Sequence, residues 1–267
     1  MVLKFTLQDR PLRPFMQPQV ELERHDGVAT LWLNRPAARN ALTVSLLAEL
    51  DVQIQTIAQD TTLRALVVAG RGDSFCAGGD LAEMAACAPA EIPAWQMRCA
   101  ATLDRLAALP VPVIAAMHGH AFGGGFLLSL YCDLRIAATG TQIGFPGASR
   151  QWIPPWAMSR LAAWIGPARA QQFLLTAGFL DADAAFAWRL VDRVEPQKRL
   201  VAIAQQTAGE CAKLDRPVVA AVRSFFSQLP GQDHSHWDRQ STELFAALFT
   251  RPEAQAAITS FLARRSQ

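Results

Sequence analysis

From Leu106 to Cys132 the chain carries no Asp, Glu, Lys or Arg, and from Leu134 to Leu180 it carries no Asp or Glu. The first gap is long enough to invite a membrane reading. Pro110, Pro112, His118, His120 and several glycines interrupt it, which excludes a continuous apolar helix and fits a buried strand, a turn and a buried helix. Cysteine is sparse: the 5 residues are Cys76, Cys87, Cys99, Cys132 and Cys211, an odd number with no C-x-x-C pair. A disulfide framework and a structural zinc site are thereby disfavoured, and a reducing, cytoplasmic setting is expected. Neither sign of charge dominates, with 25 Lys+Arg against 23 Asp+Glu and a net charge of +2, so nothing points to a nucleic acid or a membrane surface as partner. No G-x-G-x-x-G is present and no Gly-Lys-Ser/Thr follows a glycine loop, so dinucleotide and nucleotide-phosphate cradles are absent. The opening "MVLKFTLQDRPLRPFMQPQ" has charges and prolines but no apolar core, which does not fit a secretory signal.

What is present is a chain of 267 residues, 51% hydrophobic, enough for one large core with a small appendage. Residues 1–18 read as a loose leader, 19–209 as the core and 210–267 as a helical region suited to oligomerisation. "VELERHDGVATLWLN" alternates about an Asp-Gly turn, a hairpin signature. "LTVSLLAELDVQIQTIAQD" has helical spacing with Thr43 as N-cap. "LRALVVAG" and "PVIAAMHG" read as buried strands, "LAEMAA", 95–108 and "GGFLLSLYCD" as helices, and "LRIAATGTQIGF" as strand-like. From about 155 the pattern is mostly helical. Strands alternating with helices, then a helical tail, predict an α/β fold.

Two glycine-rich loops follow the two most hydrophobic strands: "FCAGGD" at 75–80 and "HAFGGGF" at 120–126. Glycine lets a ligand approach the backbone and leaves N–H groups open to it. Two such groups converging on one point form an oxyanion hole for a carbonyl that becomes anionic. Close packing is the competing reading of the triple glycine.

The segments "LNRPAARNAL", "GRGDSFCAGGDL", "PVPVIAAMHGHAFGGGFLLSLYCDLRIAA", "QFLLTAGFLDADAAFAWRLVDRV" and "SFLARR" occur in this order between about 20 and 265. Together they resemble the crotonase (enoyl-CoA hydratase/isomerase) superfamily. The resemblance implies a spiral of ββα units with a C-terminal helical region, assembly as a homotrimer or hexamer, and a coenzyme A thioester as substrate with no separate cofactor. It implies that the amides of Gly79 and Gly124 hold the thioester oxygen. It also implies a CoA-binding set of Arg39, Ala41, Ala77, Phe245 and Arg264, the last two often reaching a neighbour's ligand.

Hydratases of this family carry one glutamate three residues after the middle glycine and another twenty residues later. Here those positions are Leu127 and Gly147. Hydration needs a base for water and an acid for the α-carbon, and neither residue supplies one. Glycine at 147 further raises the expectation of a backbone angle that glutamate avoids. Among the remaining groups, Asp80, His120 and Arg150 are candidate acid/base or acyl-group contacts. His118 and Asp133 read as structural, and Cys76 as a small core residue. The H-x-H pair of His234 and His236 reads as a surface turn with no third metal ligand, so no metal is expected. "GASRQWIPPW" replaces an acid with Ser149, Arg150 and Trp152, and Arg150 suits a carboxylate on the acyl group. Three functions are therefore carried forward. The first is an enolate-stabilising acyl-CoA enzyme of lyase or isomerase type without the hydratase glutamates. The second is a decarboxylase or hydrolase of a carboxylated acyl-CoA, and the third a catalytically silent acyl-CoA-binding paralogue.

Overall fold

A computed structural model describes residues 17–227 and 234–265. Residues 1–16 of the expected leader, and the first part of the expected turn before His234, lie outside the described residues. The chain opens with β1 (Val20–His25) and β2 (Val28–Leu33), paired antiparallel with His25 opposite Val28. Asp26 and Gly27 take φ of 49° and 78°, the left-handed pair that a two-residue hairpin turn needs. Next comes α1 (Val44–Gln59), which buries Leu46, Leu47, Leu50, Ile54 and Ile57 on one stripe. Thr43 caps it as expected, its Oγ1 accepting from the Leu46 amide at 3.1 Å.

The elements that follow are β3 (Ala65–Gly70), α2 (Leu81–Ala86), α3 (Ile92–Ala107), β4 (Val113–Met117), β5 (His120–Phe122), α4 (Gly124–Ser129), β6 (Leu134–Ala138) and β7 (Gln142–Gly144). Beyond them lie α5 (Met158–Ile165), α6 (Pro167–Leu175), β8 (Phe179–Asp181), α7 (Ala182–Ala187), β9 (Arg193–Glu195) and α8 (Leu200–Cys211). The chain closes with α9 (Arg216–Ser227), α10 (His234–Phe249) and α11 (Pro252–Arg265). The larger sheet has the order β1-β2-β3-β4-β6-β9, parallel from β2 onward. Every residue of β3 and β4 is buried, because both faces of this sheet are covered. Leu66, Val68, Val113, Ala115 and Met117 face the main core beneath α1 and α3. Val67, Ala69, Ile114, Ala116 and Ile136 face Leu200, Ile203, Ala204 and Ala208 of α8.

A smaller sheet, β5-β7-β8, stands apart from the first. It makes the architecture a spiral of ββα units with a helical C-terminal region. Four features differ from the sequence reading. The segment 134–144 is two strands in two sheets, not one strand-like stretch. The "HAF" of the second glycine loop is itself a strand, and β8 and β9 lie inside the mostly helical half. His234 does not lie on a surface turn: it begins α10, is buried, and its Nδ1 lies 2.8 Å from Ser159 Oγ, whereas His236 is exposed.

The C-terminal helices close onto the core. Asp238 Oδ1 accepts from the Ala157 amide at 2.8 Å, and Tyr131 donates to Oδ2 at 3.1 Å. Ser241 and Thr242 donate to the Pro155 carbonyl at 2.8 and 2.7 Å. These bonds fix α10 to the turn after α4 and to the segment leading into α5, and Phe245 and Phe249 enter the main core. None of the helices among the described residues is long and apolar enough to cross a membrane.

Candidate active site

The two glycine loops are held side by side by backbone bonds. The Cys76 amide donates to His120 O at 3.0 Å, and the Phe122 amide donates back to Cys76 O at 3.0 Å. On the other flank, the Ala77 amide donates to Arg39 O at 2.9 Å, Leu42 N to Gly78 O at 2.8 Å and Asp80 N to Leu42 O at 3.0 Å. The Gly123 amide donates to Gly144 O at 2.9 Å. Among the described residues, the Gly79 and Gly124 amides have no acceptor. A methyl built on Gly124 would sit 3.4 Å from Gly79 N, and one on Gly78 would sit 3.1 Å from Gly124 N. Two N–H groups without partners therefore lie on adjoining loops.

Close approach explains the glycines. Gly78 has φ of 97°, and a Cβ there would lie 2.7 Å from Phe122 O. A Cβ on Gly125 would lie 2.2 Å from Cys76 O. Two residues missed by the sequence reading pin this arrangement. Asn40 is fully buried and donates through Nδ2 to Arg71 O, Ser74 O and Phe75 O at 2.9, 2.8 and 3.2 Å. Its φ of 56° is one that asparagine tolerates better than most residues. Arg35 donates to Ala41 O at 2.6 Å and reaches Asp80 Oδ2 at 3.2 Å. The resemblance points to Arg39, whereas the side chains that hold the loops are those of Arg35 and Asn40 on either side of it.

Below the loops opens a cleft of about 450 Å³. Gly79, Gly124, Asp80, Arg150, Arg39, Ala41, Ala77 and Phe245 all line it. His120 and Arg264 do not. His120 Nδ1 lies 3.1 Å from Ser74 Oγ and its ring meets Phe122 edge-on at 5.0 Å. Burial, with the Arg39 charge as a second cause, holds its imidazole below the usual histidine range. His118 Nε2 lies 2.8 Å from Gly72 O. Asp80 is the N-cap of α2, accepting from the Ala82 and Glu83 amides at 3.2 and 3.3 Å. Glu83 turns its carboxylate to the Val44 amide at 3.1 Å. Asp133 accepts from the Val113 amide at 2.7 Å and pairs with Arg223 at 3.1 Å. Cys76 is fully buried, its thiol pushed up to about 12 by desolvation, and it donates to Asn40 O at 3.0 Å.

Leu127 and Gly147 both line the cleft. Leu127 is buried on α4. Gly147 has φ −59° and ψ −35°, which any residue adopts, so the expected backbone obstacle to glutamate does not exist there. The obstacle is steric instead: a Cβ would lie 2.3 Å from Phe145 Cε1 and 2.5 Å from Trp152 Nε1. Aromatic rings thus crowd the position at which the resemblance implies the second acid of the hydratases. Trp152 in turn packs edge-on against Phe249 at 5.4 Å and Phe245 at 6.4 Å.

Arg150 is half-buried in the cleft wall. Its Nη1 donates to Pro146 O at 3.2 Å, and its guanidinium lies 4.7 Å over the Phe261 ring of α11. Desolvation, followed by repulsion from Arg264, lowers its pKa. Arg264 is exposed, yet near enough for its charge to be felt at Arg150. Among the described residues Arg150 makes no ion pair. The opposite wall is α3, where Trp95, Gln96 and Cys99 face the cleft, and Trp156 Nε1 donates to Gln96 Oε1 at 3.0 Å. The Cys99 thiol, pushed up to about 12 by burial, stays neutral.

The enoyl-CoA hydratase/isomerase family model matches residues 23–267. Crotonyl-CoA hydratase of Syntrophomonas wolfei is 30% identical over 246 residues, which span 91% of this chain and 95% of that protein. The crystal structure of an enoyl-CoA hydratase from Mycobacterium smegmatis superposes with a TM-score of 0.77 at 31% identity, covering 93% of this chain and 97% of that one. An enoyl-CoA hydratase from Mycobacterium avium subsp. paratuberculosis superposes with a TM-score of 0.81 at 22% identity, covering 92% and 96%, which speaks for the shared fold alone.

Proposed function

Because the chain belongs to the enoyl-CoA hydratase/isomerase family, we propose that it acts on a coenzyme A thioester by stabilising an enolate, without the two-carboxylate chemistry of hydration. The observation that carries this reading is the pair of Gly79 and Gly124 amides, both without acceptors and both at the cleft. A thioester oxygen placed between them gains negative charge as the α-carbon becomes nucleophilic. Each donor contributes about 3 kcal/mol to that transition state. Hydration itself is disfavoured because Leu127 and Gly147 offer no proton transfer at the α- and β-carbons. Lyase or isomerase chemistry through the enolate remains, with no cofactor beyond the thioester.

The test is turnover of enoyl-, 3-oxoacyl- and malonyl-type CoA esters, run beside calorimetric binding. The expected result is binding of a CoA thioester, with Gly124→Pro removing one donor and abolishing turnover. Binding without turnover of any ester supports a silent paralogue. No binding of any CoA ester at millimolar concentration overturns the acyl-CoA reading.

A second reading rests on Arg150, a half-buried guanidinium in the cleft wall with no carboxylate partner. It suits an acyl group that brings its own carboxylate. In a malonyl-type thioester the bond between carboxylate and α-carbon breaks and carbon dioxide leaves. The electron pair passes to the thioester oxygen between the two amides, and water then protonates the α-carbon. That sequence needs no general base. Hydrolysis of such an ester is the related alternative.

On the coenzyme side, Arg39 lies at the exposed end of the cleft, suited to phosphate, with Ala41 and Ala77 lining the approach. Phe245, buried and stacked on Phe249 at 5.1 Å, shapes the cleft interior, and Arg264 stands beside Arg150 as a further cation. Assembly as a homotrimer or hexamer fits α9, which exposes Val218, Val222, Phe225 and Phe226. Light scattering at micromolar concentration is expected to give the trimer mass or its double, and a monomer alone would refute this. The five cysteines, all unpaired, suit a reducing cytoplasm.

A further inference from the structure

One buried wall of the cleft is built by Trp95, Gln96 and Cys99 of α3 with Trp156, at 3, 5, 3 and 2% exposure. Among these only Gln96 carries a strong acceptor, and that acceptor is taken. An indole N–H can only donate, so the bond from Trp156 Nε1 to Gln96 Oε1 settles which way the amide points. The Gln96 NH₂ group must point the other way. Among the described residues it has no acceptor, although it belongs to a side chain that is 95% buried and borders the cleft. Next to it, Trp95 Nε1 is buried with no partner among the described residues. Cys99 is held neutral and offers only a weak acceptor. This wall therefore has donors to spare and lacks acceptors: the Trp95 indole N–H is sealed away, whereas the Gln96 NH₂ keeps an open side on the cleft, where a ligand atom can meet it.

Resting on the acyl-CoA reading above, we infer that Gln96 is a specificity-determining residue that selects acyl groups bearing an uncharged oxygen acceptor, a keto or similar carbonyl group, beyond the thioester. The acceptor meets the Gln96 NH₂ and replaces the bond that the protein does not supply. A plain alkyl chain leaves that donor unpaired. A carboxylate is disfavoured at this wall, because no lysine or arginine belongs to it and an unpaired charge would be desolvated. The cations of the cleft, Arg39 and Arg150, come from other segments.

The test compares hexanoyl-CoA with 4-oxohexanoyl-CoA, 5-oxohexanoyl-CoA and adipyl-CoA by calorimetric titration. Wild-type protein is expected to bind one of the two oxo esters roughly two- to tenfold more tightly than hexanoyl-CoA, the worth of one neutral hydrogen bond. The double variant Gln96→Leu, Trp156→Phe removes the donor without stranding the indole N–H. It is expected to lose the oxo preference, read as the ratio of oxo-ester to hexanoyl-CoA affinity within the same variant, with circular dichroism and a cooperative thermal transition reporting that it is folded. The inference is overturned if neither oxo ester exceeds hexanoyl-CoA, if adipyl-CoA binds most tightly, or if the preference survives in the variant. In those outcomes hexanoyl-CoA still binds and the acyl-CoA reading stands. If no ester binds to wild type, both fall together.

Discussion

Replacing Gly147 by alanine is expected to destabilise the protein by about 1–3 kcal/mol, the usual cost of forcing a methyl group into a filled core. The cost arises from packing and not from the backbone, since φ is −59° and ψ −35°. The new Cβ would stand 2.3 Å from Phe145 Cε1, 2.6 Å from Phe145 Cζ and 2.5 Å from Trp152 Nε1. Comfortable carbon contacts begin near 3.5 Å, so both rings must retreat by about an ångström. Phe145 and Trp152 are 4 and 6% exposed and Trp152 is backed by Phe249 and Phe245, so the rings can give way only toward the cleft they line, at the cost of the contacts they make now. At about 2–4 °C per kcal/mol for chains near this size, calorimetry should show a Tm lower by roughly 2–12 °C. Trimming the ring with Phe145→Leu should return part of the loss, a coupling of about 0.5–3 kcal/mol in the double-mutant cycle. An unchanged Tm in Gly147→Ala, or a loss that is the same with and without the Phe145 ring, would refute the reasoning. The functional corollary is that Leu127→Glu with Gly147→Glu does not restore hydration on this scaffold, because the Cβ at 147 collides with the Phe145 and Trp152 rings and displaces the wall that would have to hold the carboxylate.

Wild-type protein is expected to hydrate crotonyl-CoA far below about 10 per second, a typical enzyme rate, followed by loss of enoyl absorbance; a rate at or above that value would show that another acid has taken over. Asp80→Ala should lower stability by about 1 kcal/mol through loss of the α2 cap, whereas Asp80→Asn keeps the side-chain acceptor and should unfold within about 0.5 kcal/mol of wild type in urea; equal losses would argue against the capping role. The His120 pKa is depressed by burial, so the unfolded chain binds its proton more readily than the folded one. Its contribution to stability is therefore complete above the unfolded value of about 6.5 and is lost as pH falls through that value toward the folded pKa. A His120→Asn variant should accordingly show a shallower fall of Tm from pH 7 to pH 5, and an unchanged slope would contradict the assignment.

The first third of the fold was legible because its signals are local. Asp26-Gly27 needs only its own left-handed angles to make a hairpin, and Thr43 needs only the next turn to cap α1. The two glycine loops were legible for a similar reason, since glycine after an apolar strand marks backbone that something else must approach. That Leu127 and Gly147 stand where hydratases of the family carry glutamates followed from the resemblance, once the glycine motif fixed the register. Other features depend on partners far away in the chain. The strands β8 and β9 are three residues each and exist because β7 and β6 present them an open edge. Arg35 and Asn40 hold the loops through Asp80 and the carbonyls of Ser74 and Phe75, contacts that no local pattern announces. His234 is buried because Ser159 lies where α10 begins. Gly147 is closed by Phe145 and Trp152, and Gln96 presents its donor because Trp156 holds its oxygen. The sequence by itself determined the two glycine-rich loops after apolar strands and, through the resemblance they carry, the positions of Gly79, Gly124, Leu127 and Gly147, because motif and order are local properties. Which side chains fill the vacated ground was decided only by tertiary packing, because that depends on which surfaces meet across the core.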